Sequence, residues 1–136
     1  MSFKDERYAI ESYFVAGWSN GVSRYLEGQP RNERSGSEFV VLLIRSGAGS
    51  HLYLNQDTHR YAGVVIIQIF TPLNQGTDRA RDIADDAADI FRQSTTQAGS
   101  SGKIEFLTPF LTYPNMEGDW FRMNVNIPYR RDVTFP

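Results

Sequence analysis

Four aspartates, Asp78, Asp82, Asp85 and Asp89, recur at i, i+4, i+7 and i+11, the spacing that puts carboxylates on one face of a helix. Clustered carboxylates can bind a divalent cation or carry out acid–base work. Ile83, Ala87, Ile90 and Phe91 form an apolar stripe in the same segment, about 180° from the acidic one at ~100° per residue. Enzymes keep their carboxylates in clefts where burial shifts the pKa. This stripe instead points away from the expected core, so catalysis is not expected of it. Two readings stay open, a solvated helix face and a charged docking surface.

The other reactive residue types are sparse. The two histidines, His51 and His59, stand eight apart, which is not the i, i+4 spacing of a helical zinc pair. The chain has no cysteine, which excludes disulfides, thiolate metal sites and cysteine nucleophiles. A nucleophile set needs a serine or threonine with a nearby histidine and an orienting acid, but the serines cluster in glycine-rich stretches that read as flexible connectors. Gly47-Ala48-Gly49 and Gly76-Thr77 lack the Gly-Lys-Ser/Thr ending of a phosphate cradle and read as turn glycines. Arg130-Arg131 and the Arg31/Arg34 pair are basic spots without interleaved aromatics. No catalytic residue, cofactor or metal is expected.

Fourteen basic against sixteen acidic residues give a formal charge of -2, which offers no broad electrostatic attraction to a polyanion, and direct nucleic-acid binding is not expected. At 136 residues, 40% of them hydrophobic, the chain suits one domain with a substantial core. The charged start, Met1 to Arg7, is unlike a signal peptide, and apolar runs such as Val64 to Ile67 are far too short to cross a bilayer. A soluble protein made in the cytoplasm, with no membrane partner, is expected.

The elements that must position these residues follow from periodicity. Ser2 caps a first helix, and Ile10, Tyr13, Phe14, Gly17 and Trp18 form its buried stripe. Residues 19–37 read as a long loop, and 46–60 as a hairpin or arm that carries His51 and Tyr53. Glu38 to Arg45 and Tyr61 to Phe70 read as strands, the second apolar on both faces and so requiring cover on both. Thr71-Pro72 stops that strand, Asn74-Gln75-Gly76 turns the chain, and Thr77 caps the acidic helix, which runs to about Arg92. Ser94 to Gly102 reads as a polar linker. Lys103 to Phe106 and Asp119 to Pro128 are the last strands, around a turn at Pro114 to Gly118. In the final strand Phe121, Met123, Val125 and Ile127 face the core, while Arg122, Asn124 and Asn126 face out. The expectation is an α+β single domain, 1–136, with a mainly antiparallel sheet of about four strands plus a hairpin arm, packed with two helices.

This element order, with the run Gly63-Val64-Val65-Ile66-Ile67-Gln68-Ile69-Phe70-Thr71-Pro72-Leu73-Asn74-Gln75-Gly76 followed by Ala80, Ile83-Ala84 and Ile90-Phe91, resembles the tail terminator, or tail completion, proteins of long-tailed bacteriophages and prophages. The likeness extends to the aromatic close of the first helix at Trp18 and to the final strand with Asn124 and Ile127. It implies a structural, non-enzymatic protein of the virion tail, made in the host cytoplasm. Such a protein forms a hexameric ring at the head-proximal end of the tail tube, stops tube polymerisation and meets the head connector. The implied partners are further copies of the chain, the tail tube protein and the connector protein.

Within that reading, the Asp82/Asp85/Asp89 face is expected to meet basic positions of a neighbour, namely Arg24, Arg31, Arg130 or Arg131, while the 46–60 arm with His51 and Tyr53 reaches across. The competing expectation is a small ligand- or nucleic-acid-binding module on a ferredoxin-like sheet, which requires exposed aromatics on the open sheet face. Trp120 alone is placed to serve there.

Overall fold

A computed structural model describes residues 3–19, 21–28, 38–51, 57–72, 78–92, 94–97, 102–113 and 120–134. The elements run α1 (Phe3–Gly17), β1 (Ser23–Leu26), β2 (Phe39–His51), β3 (Thr58–Pro72), α2 (Asp78–Phe91), β4 (Thr95–Gln97), β5 (Lys103–Phe106), β6 (Phe110–Thr112) and β7 (Trp120–Thr134). The expected caps Ser2 and Thr77, the turns at 74–76 and 114–118, and Arg31, Arg34 and Tyr53 lie outside the described residues.

Three long strands carry the fold. β3 is hydrogen-bonded antiparallel to β2 on one side and to β7 on the other, from Thr58↔Thr134 through to Pro72↔Trp120. Because side chains alternate along a strand, this register puts Val40, Ile69 and Met123 in one row, and Leu42, Ile67 and Val125 in the next. These rows form the face that the helices cover. Ile10 and Phe14 of α1 and Ala80, Ile83, Ala87 and Phe91 of α2 are fully buried against it. The alanines let α2 lie close to the sheet. Phe91 sits at the centre, with its ring centroid 4.8 Å from Phe106, 5.6 Å from Tyr13 and 6.3 Å from Phe14.

The expected sheet of about four strands is corrected to seven among the described residues, in the order β1-β2-β3-β7-β5-β4 with β6 also on β7. The general α+β character holds. β1, β4 and β6 are only three or four residues long, SRYL, TTQ and FLT, too short for periodicity to mark. Ladder pairing makes them strands, β1 lying parallel to β2 inside the segment read as a loop and β4 lying antiparallel to β5 inside the segment read as a linker. In residues 46–60 the β2–β3 ladder continues past a register shift between Ser46 and Gly49 to His51↔His59.

Pro128 was expected near the end of the last strand, yet β7 continues six residues beyond it. β6 pairs with β7 only as far as Asn126, and β5 takes over at Tyr129, so the missing N–H of Pro128 falls where the partner changes. Its carbonyl still accepts the Leu107 N–H at 2.8 Å.

Gly63 occupies a position where a side chain cannot fit. A Cβ there would stand 2.6 Å from both the Arg45 carbonyl oxygen and the Tyr129 hydroxyl. Gly63→Ala is therefore expected to lower stability by about 1–3 kcal/mol through overpacking of a ladder that cannot give way, measured as a lower urea midpoint at unchanged slope.

Candidate assembly surfaces

Helix α2 presents its carboxylates as the spacing required. Asp78, Asp82, Asp85 and Asp89 are exposed, and so is Asp86, which the sequence reading passed over. Asp89 receives Arg92 at 3.0 Å, an exposed i, i+3 pair, while Arg79 turns away to Glu38 at 2.6 Å. The face is left with a surplus of negative charge. No group of three or more side chains that could hold a metal ion occurs among the described residues. An open groove of about 620 Å³ runs beside it, lined by Tyr13, Gly17, Trp18 and Ile90 with Asp86 and Asp89 at its rim. Trp18 is held there by donating its indole N–H to the Val22 carbonyl at 3.0 Å.

The basic candidates are not equivalent. Arg24 is exposed on β1 at the edge of the sheet. Arg130 is half-buried and gives two nitrogens to Glu105 Oε2, at 3.1 and 2.9 Å. Arg131 is fully buried, and it donates to Glu6 at 3.1 Å with its guanidinium 5.0 Å from the centre of the Tyr61 ring. That burial takes Arg131 out of the set available to a neighbour. The backbone of His51 pairs with His59, whereas its side chain, like Arg31 and Tyr53, lies outside what is described.

The sequence reading missed the Glu6–Arg131 pair, although both partners carried a signal. Glu6 precedes Ile10 by four residues and Phe14 by eight, which puts it on the buried stripe of α1. Arg131 has the same parity as Ile127, Tyr129 and Val133, which puts it on the core face of β7. The second oxygen of Glu6 accepts the Ser46 hydroxyl at 3.0 Å, so the carboxylate joins α1, β2 and β7. The Tyr129 hydroxyl is buried beside Ser46 and Glu6 without a well-formed hydrogen bond to either, and burial above all pushes its pKa well above the ordinary tyrosine value.

Among the described residues, no helix lies over the far face of the sheet. Along β3, Val65, Ile67 and Ile69 are fully buried on the helix side, whereas Val64, Ile66 and Gln68 on the other side are only half-buried. One end of this face is closed by aromatic packing within the chain, with Phe39 stacked on Phe70 at 4.6 Å and met edge-on by Trp120 at 5.2 Å. At its centre Leu43, Val64, Ile66 and Pro128 are half-buried and Phe110 is 51% exposed. Asn126, expected to face out, is instead buried and donates to Thr112 at 3.0 Å. Toward the other end the charges are paired within the chain. Arg60 grips Asp132 with bonds of 2.8 and 2.9 Å, and this hydrogen bonding lowers the Asp132 pKa, while Arg45 meets Glu27 at 2.7 Å.

A nucleic-acid platform would need free aromatic planes on this face. Trp120 is engaged with Phe39, Phe110 is the exposed ring on this face among the described residues, and the element order differs from the βαββαβ arrangement of a ferredoxin-like module. No described helix is long and apolar enough to cross a membrane.

Residues 7–129 match the family described as phage tail terminator protein. One solved protein chain shares the fold with a TM-score of 0.75 and 16% sequence identity, over 100% of this chain and 98% of that one. No curated protein matches the sequence.

Removing the Glu6 carboxylate strands a buried guanidinium. Glu6→Ala is expected to lose about 3–5 kcal/mol, while the joint replacement Glu6→Met with Arg131→Leu recovers most of it, as read by urea denaturation. Tyr129 supplies a pH dependence. Above its ordinary value of 10.0 the unfolded chain releases the phenolic proton while the folded chain keeps it, so the stability contribution is complete below that pH and is lost as pH rises. Tyr129→Phe is expected to flatten this alkaline loss in a pH series of denaturation midpoints.

Proposed function

The chain belongs to the phage tail terminator family, and from that premise we propose that it caps the tail tube, ends tube polymerisation and forms the interface to the head connector as a ring of identical subunits. Membership makes it a structural component of the phage tail. The observation that carries the finer reading is the uncovered sheet face. Leu43, Val64, Ile66 and Phe110 form an apolar surface that two helices on the opposite side cannot reach, and a neighbouring subunit completes the cover.

The acidic face of α2 supplies selectivity in this reading. Asp82, Asp85 and Asp89 meet basic positions of a neighbour, with Arg24 the foremost, because it is exposed on an edge strand and makes no ion pair among the described residues. Exposed pairs of this kind contribute roughly 0–1 kcal/mol each, so they steer and register partners more than they hold them. Their effect fades as salt shortens the Debye length. Arg130 is committed to Glu105 within the chain and serves only by exchanging that partner.

Charge reversal separates steering from packing. The double variant Asp85→Lys/Asp89→Lys is expected to fold normally, to assemble into rings less well at low salt, and to leave tails of uncontrolled length when it replaces the native chain. Light scattering, electron microscopy of the particles and tail-length distributions give the three readouts. Unchanged ring assembly and unchanged tail length in this variant would remove the acidic face from the interface.

A further inference from the structure

The groove beside the acidic face of α2 is built from the carboxyl-terminal ends of both helices. Tyr13, Gly17 and Trp18 line it from α1 and the residue after it, and Asp86, Asp89 and Ile90 line it from the end of α2. The two ends touch where Gly17 meets Ile90, since a Cβ on that glycine would stand 2.8 Å from the isoleucine side chain. The aromatic side chains are held from behind. Tyr13 packs its ring 5.6 Å from Phe91 and 5.4 Å from Phe106, and Trp18 stands 5.4 Å from Phe14 with its indole N–H given to the Val22 carbonyl. The groove is therefore preformed, and a ligand entering it pays little to order its walls.

Its electrostatics have one sign. A helix C-terminus carries roughly half a unit of negative charge on its unpaired carbonyls, and two such ends meet here. Neither helix has a basic residue in its last turn. Asp86 and Asp89 add two exposed carboxylates. Of the arginines on α2, Arg79 turns to Glu38, and Arg81 donates to the Tyr113 hydroxyl at 2.9 Å with its guanidinium 5.5 Å from that ring centre. Arg92 follows α2 and meets Asp89 at 3.0 Å, an exposed pair that offsets the charge only in part.

We infer that this groove receives an arginine side chain presented by a protein partner, with its aliphatic stem along Gly17 and Ile90 and its guanidinium among the two carboxylates and the two rings. This rests on the docking role proposed for the acidic face and names the chemistry of what docks there. Charge complementarity selects the occupant. An anionic segment would be repelled by the carboxylates and by both helix ends, and a purely apolar one would desolvate the carboxylates without pairing them. Arginine meets every part of the site: a planar cation that stacks on tyrosine and tryptophan, a fork that matches a carboxylate, and an apolar stem for the space between the helices. Lysine supplies the charge and the stem without the plane or the fork.

Nuclear magnetic resonance of the full chain titrated with the peptide acetyl-Leu-Arg-Leu-amide tests this. Saturable shifts are expected at the Trp18 indole N–H, Gly17 and Ile90. Replacing the arginine by neutral citrulline should weaken binding about tenfold or more, and Asp86→Asn/Asp89→Asn should do the same. Asp82→Asn/Asp85→Asn, an equal change of charge outside the groove, should keep the binding. Equal binding of the citrulline peptide, or shifts confined to other surfaces, would overturn the inference, and spermidine binding as tightly as the peptide would overturn a protein segment as the occupant. A groove that takes no peptide while Asp85→Lys/Asp89→Lys still disrupts rings would sink the inference and leave the ring reading standing. Arginine binding by a chain that forms no rings would support the inference and sink the ring reading.

Discussion

The period of two along β3 is the constraint on which the rest of the structure depends. β3 is paired with β7 throughout and with β2 from His59 to Phe70 apart from the register shift beside Ala62, so its residues fix the faces taken by their partners. A slip of one residue would carry Val65, Ile67 and Ile69 off the helix side and put Gln68 beneath α1 and α2. It would also move Gly63 from under the Tyr129 hydroxyl, where no other residue fits. Register, core composition and the position of the buried tyrosine are thus a single choice made three ways, which is how a sequence comes to specify one arrangement.

The Glu6–Arg131 pair acts on top of that register. Its net contribution to stability is small by comparison with apolar packing, because desolvating two charges offsets most of their attraction. What the pair decides is where the amino-terminal turn of α1 sits. Apolar contacts from Ile10 to Trp18 tolerate small slides of the helix along the sheet, whereas a carboxylate that must meet Arg131 with one oxygen and Ser46 with the other admits only one position.

Legibility followed pattern length. β2, β3 and both helices were readable because each repeats its period several times, and the acidic stripe was readable because the apolar stripe of α2 fixed its phase. β1, β4 and β6 were not, since three or four residues cannot display a period and their strand character comes from the neighbour they pair with. Pro128 misled in a different way. Proline ends most strands, but here the partner changes at that residue, and a change of partner is a tertiary fact. Asn126 was faced outward by the alternation of the last strand, Arg131 was offered to a neighbour as a basic position, and Glu6 was given no place. For Glu6 and Arg131 the periodicity of the element and the polarity of the residue disagreed, whereas for Asn126 they agreed. For Glu6 and Arg131 periodicity set the position, and for Asn126 a polar partner inside the protein, Thr112, removed it from solvent.

The uneven cover of the sheet bears on how such a protein is controlled. At about 25 cal/mol per Å² of apolar surface, an uncovered face carries a standing drive toward association. The interior of the far face moderates that drive, since its aromatic end is already buried by Phe39, Phe70 and Trp120 and its charged end is paired, which leaves only a central patch for a partner. A contact of that size is weak between two free chains, because most of its energy is absorbed by the lost freedom of association. In the proposed ring, subunits held side by side on a tube end would make the same contact effectively intramolecular. Under that proposal, weak pairwise surfaces combined with a symmetric template would give assembly that starts at the tube and closes on itself.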